Sequence, residues 1–324
     1  MHGIRINLAH YPRAVMFTII INCPIIINNY VPIGEASNIQ LLIIADDFTG
    51  TLDTGVQFAK AGVSTSVLLE CGMDMARPAS GCEVLVVNAD SRHLAAGQAR
   101  LRVADIAARG VGLGCKYLYK KTDSCLRGNI GAELEGAMDA MGNRPMYFAP
   151  AFPKAGRTTN GGVQYVNGVP VSETPFGKDP FEPVMHSSVA RIIACQTDLP
   201  VRALPCGVRP EADDKRAIFV LDAKTDLDLR DAAGWVCASG ARLMAGCAGF
   251  AEFLPDALAL KRAPRPTFMG ERGVLIISGS VNPVTAAQLK HAAERGFDCV
   301  TLLPEQKLTP GYADTPECAR FIAQ

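Results

Sequence analysis

Residues 41–51 read LLIIADDFTGT, five apolar residues followed at once by two aspartates and, three residues later, a glycine. The apolar run is typical of a buried strand in a parallel sheet, and open sheets of this kind hold ligands at the carboxyl ends of their strands. Two adjacent carboxylates there are costly to bury unless a metal, a cation or hydroxyl groups bind them. One acid would suffice to cap the helix predicted for 53–61, so the pair Asp46 and Asp47 favours a ligand site.

Strand and helix patterns alternate along the rest of the chain. Apolar strand-like runs occur at 65–69, 83–88, 116–119, 146–149 and 217–221, and helical patterns at 95–109, 130–141, 184–194 and 228–239. Such alternation forms βαβ units, which predicts an α/β fold with a mostly parallel sheet. The stretch 150–183 is rich in Gly, Pro and Thr, and its strand-like run 163–166 predicts an ordered, hairpin-like excursion.

The domain prediction follows from changes in composition. We expect an extension outside the fold, a substrate-binding domain, a linker and the start of a second α/β domain at residues 1–38, 39–262, 263–272 and 273–324. In the last of these, a strand from Gly273, a helix at 284–295 and a strand at 299–303 are predicted. About 50 residues cannot complete a doubly wound domain, so we expect this second domain to be truncated.

Charge and cysteine usage exclude several classes of partner. The 32 Lys and Arg residues balance the 32 Asp and Glu residues, and no basic stripe indicates nucleic-acid binding. The apolar run at 15–27 is too short and too interrupted to cross a membrane. The 11 cysteines are scattered without zinc spacing, which favours free thiols in a reducing cytoplasm and no metal site of that kind.

A second polar cluster, KKTDSCLRGN at 120–129, follows the strand predicted at 116–119. Arginine can bind a carboxylate with two hydrogen bonds and lysine supplies a point charge, so the cluster suits an anionic ligand. Its candidate ligands are Lys121, Thr122, Asp123, Ser124 and Arg127. An exposed charged loop with Asn129 as a helix cap is the alternative interpretation.

Three weaker signals complete the candidate sites. NADSR at 88–92 follows another strand and offers Arg92 to an anion, and Arg157 precedes two threonines in a turn. Ser278 and Ser280 flank a glycine between a strand and a helix start, where backbone N–H groups can bind anions. Several polar strand ends together carry more weight than any one of them, because parallel strands end at a common edge.

These motifs together resemble the four-carbon acid sugar kinases. The resemblance rests on ADDFTGTLDTGVQFAKAG at 45–62, VVNADSRHL at 86–94, LYKKTDSCLRGNIGAE at 118–133, GRTTNGGVQYVNGVPVSETPFGKDP at 156–180 and SGSVNPVTAAQ at 278–288. It extends from about Ile39 to the end of the chain and is closer to the D-threonate kinase branch. The family implies an N-terminal substrate domain and a C-terminal nucleotide domain, with catalysis in the cleft between them.

The resemblance also implies roles for particular residues. Asp46, Arg92 and the segment 121–124 correspond to sugar-acid ligands, with Asp47 and Arg127 in support, while Ser280 and its neighbour Ser278 correspond to a nucleotide contact. The implied reaction is phosphorylation of a terminal hydroxyl by ATP with Mg²⁺, and Asp46 or Asp123 is the candidate catalytic base. The later glycine-rich ATP segments of the family are absent from this sequence, which leaves activity open.

Three other functions remain as alternatives. The chain could be a sugar-acid-binding module without catalysis, or an NAD-dependent dehydrogenase, although the first strand lacks the glycine fingerprint for NAD. A non-enzymatic interaction protein is the third. A homodimer is compatible with the sequence.

Overall fold

The computed structural model describes residues 18–19, 39–79, 81–142, 144–210, 216–262, 277–278, 283–299, 301, 303, 306 and 309–322. Contacts divide the chain into two compact units, one of residues 23–269 and one of residues 1–22 with 270–324. Of the predicted segments, the linker 263–272 lies outside the described residues, as does 1–38 apart from Thr18 and Ile19. The predicted domain boundaries stay a prediction.

The larger unit is built on one sheet of eight parallel strands. In chain order these are β1 (Leu41–Ala45), β2 (Thr65–Leu68), β3 (Val84–Asn88), β4 (Tyr117–Lys121), β5 (Met146–Ala149), β9 (Val201–Leu204), β10 (Ile218–Leu221) and β11 (Leu243–Gly246), and their order in the sheet is β9-β10-β5-β11-β4-β1-β3-β2. The predicted α/β class and parallel sheet are confirmed. Strand β9 was missed because it is a half-exposed edge strand, and β11 because LMAG is short and ends in glycine.

Helices cover both faces of this sheet. They are α1 (Phe48–Lys60), α2 (Ala76–Ala79), α3 (Ala96–Gly112), α4 (Ile130–Met141), α5 (Val189–Ala194), α6 (Asp226–Ala238), α7 (Ala248–Ala251) and α8 (Leu254–Ala257). One buried apolar cluster joins the sheet to α2, α3, α4 and α5, and a second joins its other face to α1, α6, α7 and α8. Because successive strand residues point to opposite faces, each strand contributes alternately to the two clusters.

The Gly- and Pro-rich excursion forms a small antiparallel sheet of three strands, as the hairpin prediction expected. Its strands are β6 (Arg157–Asn160), β7 (Val163–Val166) and β8 (Val169–Pro170). Both carboxylate oxygens of Asp222 accept hydrogen bonds from the turn, from Gly161 N at 2.6 Å and from Gly162 N at 2.9 Å. These bonds fix the hairpin to the end of β10.

The second unit is described only in part. Thr18–Ile19 pair antiparallel with Ile277–Ser278, and helices α9 (Pro283–Glu294) and α10 (Pro316–Ile322) follow. Helix α9 agrees with the predicted helix at 284–295 within one residue. The predicted strand 299–303 is wrong for its described residues, since Cys299, Thr301 and Leu303 are exposed and outside any strand.

Candidate functional site

Three adjacent strands bring the predicted site residues to one edge of the sheet. β1 lies between β3 and β4, with Ala45 opposite both Asn88 and Lys121 in register. The loops after these strands therefore begin at the same level, and the acidic pair, Arg92 and the 121–127 segment come together. The sequence prediction ended β4 at Tyr119, but the strand continues through two lysines because both are buried within the fold.

Arg92 links the two aspartates that follow β1. Its Nε and Nη2 lie 2.7 Å and 2.6 Å from Asp46 Oδ2, and its Nη1 lies 2.8 Å from Asp47 Oδ2. Burial alone would lower the pKa of Arg92, but the negative charges of Asp46, Asp47 and Asp123 raise it above its ordinary value. The guanidinium is a permanent cation fully engaged with carboxylates.

Asp47 caps helix α1, which corrects the predicted helix start. Asp47 Oδ1 accepts a hydrogen bond from Gly50 N at 2.8 Å, and the helix begins at Phe48 rather than at Asp53. The neighbouring Asp46 is 2% exposed, and its Oδ1 has no hydrogen-bond partner among the described residues. The two aspartates therefore differ: Asp47 supports the helix, while Asp46 keeps one carboxylate oxygen unused.

Asp123 is bound by Arg127. Arg127 Nε donates to Asp123 Oδ2 at 2.8 Å and Nη2 donates to Oδ1 at 3.1 Å. Burial raises the pKa of Asp123, but hydrogen bonds from Arg127 and the charges of Arg127, Arg92 and Lys121 outweigh it and lower the pKa to about 2. Arg127 also lies 3.5 Å from Asp179 Oδ2 and 5.2 Å from the centre of the Phe176 ring. Its charge is neutralised within the protein.

Lys121 differs from the other cations of the site. The residue is 5% exposed, yet its ammonium has no ion-pair or hydrogen-bond partner within the described ranges. It lies against the first turn of α1, where a Cβ added to Gly50 would be 2.5 Å from Lys121 Nζ and 2.6 Å from Asp47 Oδ1. Only glycine at position 50 leaves room for the ammonium.

The remaining predicted residues of this segment occupy the same loop. Thr122 is fully buried, and its hydroxyl has no hydrogen-bond partner among the described residues. The Ser124 carbonyl accepts a hydrogen bond from Gln164 Nε2 at 2.9 Å, which joins the loop to the three-stranded excursion. The Arg157 guanidinium lies 6.0 Å from the Phe176 ring, the ring that Arg127 also contacts. The excursion thus places Arg157 beside the cluster.

The predicted nucleotide contacts belong to the other unit. Ser278 ends a two-residue strand, and its buried hydroxyl has no hydrogen-bond partner within the described residues. Ser280 lies outside the described residues. Both remain predictions.

Sequence reasoning missed a buried polar group beneath the site. Lys120 Nζ lies 2.8 Å from Glu133 Oε2, and Ser91 Oγ donates to Glu133 Oε1 at 2.5 Å. Burial raises the pKa of Glu133, and the Lys120 charge opposes that shift. Lys120 was not among the predicted ligands, and because it is adjacent to Lys121 in β4 the two lysines point to opposite faces of the sheet. A charged residue on the apolar face of α4 was the signal for Glu133.

Asn129 corrects a second sequence expectation. It precedes α4, but its side chain makes no cap hydrogen bond to that helix. Instead Asn129 Nδ2 lies within hydrogen-bond distance of the carbonyls of Ser91, Arg92 and Leu94, at 3.0, 3.2 and 2.8 Å. These three contacts hold the loop after β3 against the start of α4.

A metal cluster and a membrane-spanning helix are both absent from the described residues. Within these ranges no three His, Cys, Asp or Glu side chains form a group that could hold a metal ion. None of the helices described is both long enough and apolar enough to span a bilayer. The ten cysteines described are free thiols, as predicted.

Comparison with known proteins identifies the class of this domain. Residues 41–254 match the family model described as a sugar-binding N-terminal domain. The chain is 37% identical over 269 residues to a D-threonate kinase of Salmonella typhimurium, covering 79% of this chain and 62% of that protein. It is 32% identical to a D-erythronate kinase of Heliobacterium modesticaldum, covering 88% of this chain and 67% of that protein. The chain belongs to the four-carbon acid sugar kinase family.

Solved structures share the fold of this chain. A Bordetella bronchiseptica protein, crystallised with bound citrate as a domain-swapped dimer, is 33% identical with a TM-score of 0.60, covering 68% of this chain and 58% of that one. A Haemophilus influenzae protein, 21% identical with a TM-score of 0.67, shares the fold over 87% of this chain and 71% of its own. The chain spans 62% of the Salmonella kinase's length.

Proposed function

We propose that this chain supplies the sugar-acid site of a kinase that transfers the γ-phosphoryl group of ATP to the terminal hydroxyl of a four-carbon sugar acid. Relatives named D-threonate, D-erythronate and 3-oxo-tetronate kinases support the substrate class. The observation that carries the proposal is the buried Lys121 ammonium at the strand-end edge, which has no ion-pair or hydrogen-bond partner among the described residues. A buried cation without a carboxylate partner is suited to an anionic ligand.

The pairing of charges favours Lys121 as the group that binds the substrate carboxylate. Arg92 is bound by Asp46 and Asp47, and Arg127 is bound by Asp123 and Asp179. Each arginine already contacts two carboxylates, so a third carboxylate would compete with an existing ion pair. Lys121 can bind a carboxylate without breaking any ion pair among the described residues. The sequence offered both Arg92 and Lys121 to an anion, and this pairing favours Lys121.

The same comparison favours Asp46 over Asp123 as the group that accepts the substrate hydroxyl's proton. Both oxygens of Asp123 are bound by Arg127, and its pKa of about 2 makes it a weak base. Asp46 has one oxygen, Oδ1, without a partner within the described residues. That oxygen can accept a hydrogen bond from a sugar hydroxyl and orient it for in-line attack.

The kinase relatives support ATP as the second substrate, and we propose that Mg²⁺ accompanies it. Ser278 and Ser280 remain the proposed first contacts of the nucleotide. Within the described residues no three His, Cys, Asp or Glu side chains form a group that would hold the ion by themselves. In kinases the ion is commonly held by nucleotide phosphates with one or two carboxylates, and it neutralises phosphate charge.

Calorimetry with D-threonate, D-erythronate and ATP, each titrated separately, tests the proposal. We expect a sugar acid to bind, and ADP release to follow when both substrates are present. Sugar-acid binding without nucleotide binding or turnover would support the binding-module alternative. Reduction of NAD by either acid would support the dehydrogenase, and no binding of any of these compounds would refute the proposal.

Asp46→Asn tests the assignment of the base. It keeps the shape of the side chain but removes the carboxylate, so we expect turnover to fall by about a hundredfold or more. Asp105→Asn, an exposed aspartate on α3, is the matched control and should leave turnover unchanged. Near-normal turnover of Asp46→Asn would remove Asp46 from this role.

We also propose a homodimer, because the Bordetella relative is described as a domain-swapped dimer. Light scattering on purified protein measures the mass directly, and a monomeric mass would refute the dimer. A cytoplasmic location stays a prediction from the free thiols.

A further inference from the structure

The buried pair Lys120 and Glu133 lies directly beneath the site and belongs to none of its ligands. Lys120 is 0% exposed and Glu133 is 0% exposed, and their charged atoms are 2.8 Å apart. Burying an ion pair costs desolvation free energy that the attraction between the two charges often does not offset. A buried pair is therefore weak evidence that the pair stabilises the fold. The contacts that each partner makes beyond the pair suggest what it does instead.

Each member of the pair holds one site loop. Lys120 Nζ donates to the Lys121 carbonyl at 2.6 Å, where β4 passes into the 121–127 segment. Glu133 Oε1 accepts the Ser91 hydroxyl at 2.5 Å, next to Arg92. The pair thus joins the residue that precedes Arg92 to the backbone of Lys121.

Helix α4 is a rigid support for this link. Gly131 and Gly136 bring it against the backbone of its neighbours, since an added Cβ would contact the carbonyl oxygens of Ile193 and Arg100. The Glu133 side chain therefore starts from a backbone that cannot shift easily, and small displacements of binding groups reduce affinity strongly.

We infer that Lys120 and Glu133 are positioning residues that fix the loops carrying Arg92 and Lys121 for sugar-acid binding. The inference rests on the proposed function. The pair never touches the ligand. It acts through the Ser91 hydroxyl on one loop and through the Lys121 carbonyl on the other.

The double variant Lys120→Met/Glu133→Gln tests the inference. It removes both charges at nearly constant volume, so no buried charge is left unpaired, and we expect Tm to stay within about 5 °C of the wild type. The bond to the Lys121 carbonyl is lost, and we expect the Kd for D-threonate or D-erythronate, whichever the wild type binds more tightly, to rise about tenfold. A purely structural pair would change Tm and leave Kd alone.

Glu135→Gln is the matched control, because Glu135 lies on the same helix and forms an ion pair with Arg100 at 3.1 Å. It should leave both Kd and Tm near wild-type values. Ser91→Ala removes one hydrogen bond without disturbing the ion pair, and we expect it to raise Kd several-fold, about three- to tenfold. If the double variant does not fold, the Kd of Ser91→Ala tests the inference in its place.

The outcomes separate the two proposals. If the wild type binds a sugar acid and the folded double variant, or failing that Ser91→Ala, binds it within about twofold, the inference is wrong and the proposed function stands. If the wild type binds neither acid, the proposed function fails and the inference fails with it.

Discussion

Replacing Lys121 with methionine should abolish most sugar-acid affinity without harming the fold. Methionine has nearly the same length and volume as lysine and lacks the charge. The lysine is 5% exposed and has no ion-pair partner within the described residues, so its ammonium is held there at a desolvation cost. Such an arrangement is typical of a functional site, in which a buried charge lowers the stability of the free protein but is available to bind a ligand.

The magnitude follows from the bond that is lost. A hydrogen bond to a charged group contributes about 1.5–3 kcal/mol, which corresponds to a rise in Kd of about 10- to 150-fold. Burial raises the pKa of Asp53 and the Lys121 charge opposes that rise, and the same charge helps Arg127 to lower the pKa of Asp123, so some attraction is lost in the variant. Relief of the desolvation cost opposes that loss, and we expect Tm to change by less than about 5 °C or to rise.

Calorimetry measures Kd for D-threonate and D-erythronate, and differential scanning calorimetry measures Tm on the same samples. Lys116→Met is the control, since Lys116 is exposed just before the same strand and should change neither value. Wild-type affinity in Lys121→Met would refute the assignment of the substrate carboxylate to Lys121. A large fall in Tm would show that the ammonium stabilises the fold instead.

Three further predictions concern other parts of the chain. Gly50→Ala places a Cβ 2.5 Å from Lys121 Nζ and 2.6 Å from Asp47 Oδ1, so we expect Kd to rise about tenfold. Disturbance of the Asp47 cap offsets the higher helix propensity of alanine, so Tm should stay within about 5 °C, and calorimetry showing unchanged Kd would contradict this. The pKa of Asp123 is about 2 in the folded protein, against an ordinary value of 3.8. Its ionised form therefore stabilises the folded protein by about 2 kcal/mol above pH 4, and this stabilisation is lost as the pH falls toward 2. Urea unfolding of Asp123→Asn at pH 7 and pH 3 should therefore show a deficit that shrinks in acid, and a deficit independent of pH would count against it. Burial raises the pKa of Cys247 to about 11, so iodoacetamide at neutral pH should alkylate exposed Cys195 well before Cys247, as mass spectrometry of digests can show; equal labelling would contradict the buried environment.

The sequence predicted the sheet well where strands are apolar throughout. β1 and β5 have the predicted bounds, and all of their residues are buried. A strand inside a parallel sheet is covered on both faces, so it buries each residue of a short, continuous apolar run. The end of β4 was misplaced because two lysines look like a loop. Whether a lysine is buried depends on the groups around it, and local sequence does not contain them.

The sequence predicted which strand ends carry the residues of the candidate site, but not which ion pairs and hydrogen bonds those residues form. Asp46, Arg92 and Asp123 were expected at one edge, and the structure places Arg92 on Asp46 and close enough to Asp123 for their charges to interact. The sequence could not say that Arg127 satisfies Asp123 or that Asp47 caps α1. These contacts decide which charged side chains remain available to bind a ligand.

The sequence alone determined the α/β class, the parallel sheet and the family, because apolar periodicity and long ordered motifs are local properties of the chain. Tertiary structure alone decided that Lys120 faces Glu133 while Lys121 faces Gly50 with no carboxylate partner among the described residues. Adjacent residues of a strand point to opposite faces, so Lys120 meets α4 on one face of the sheet and Lys121 meets α1 on the other.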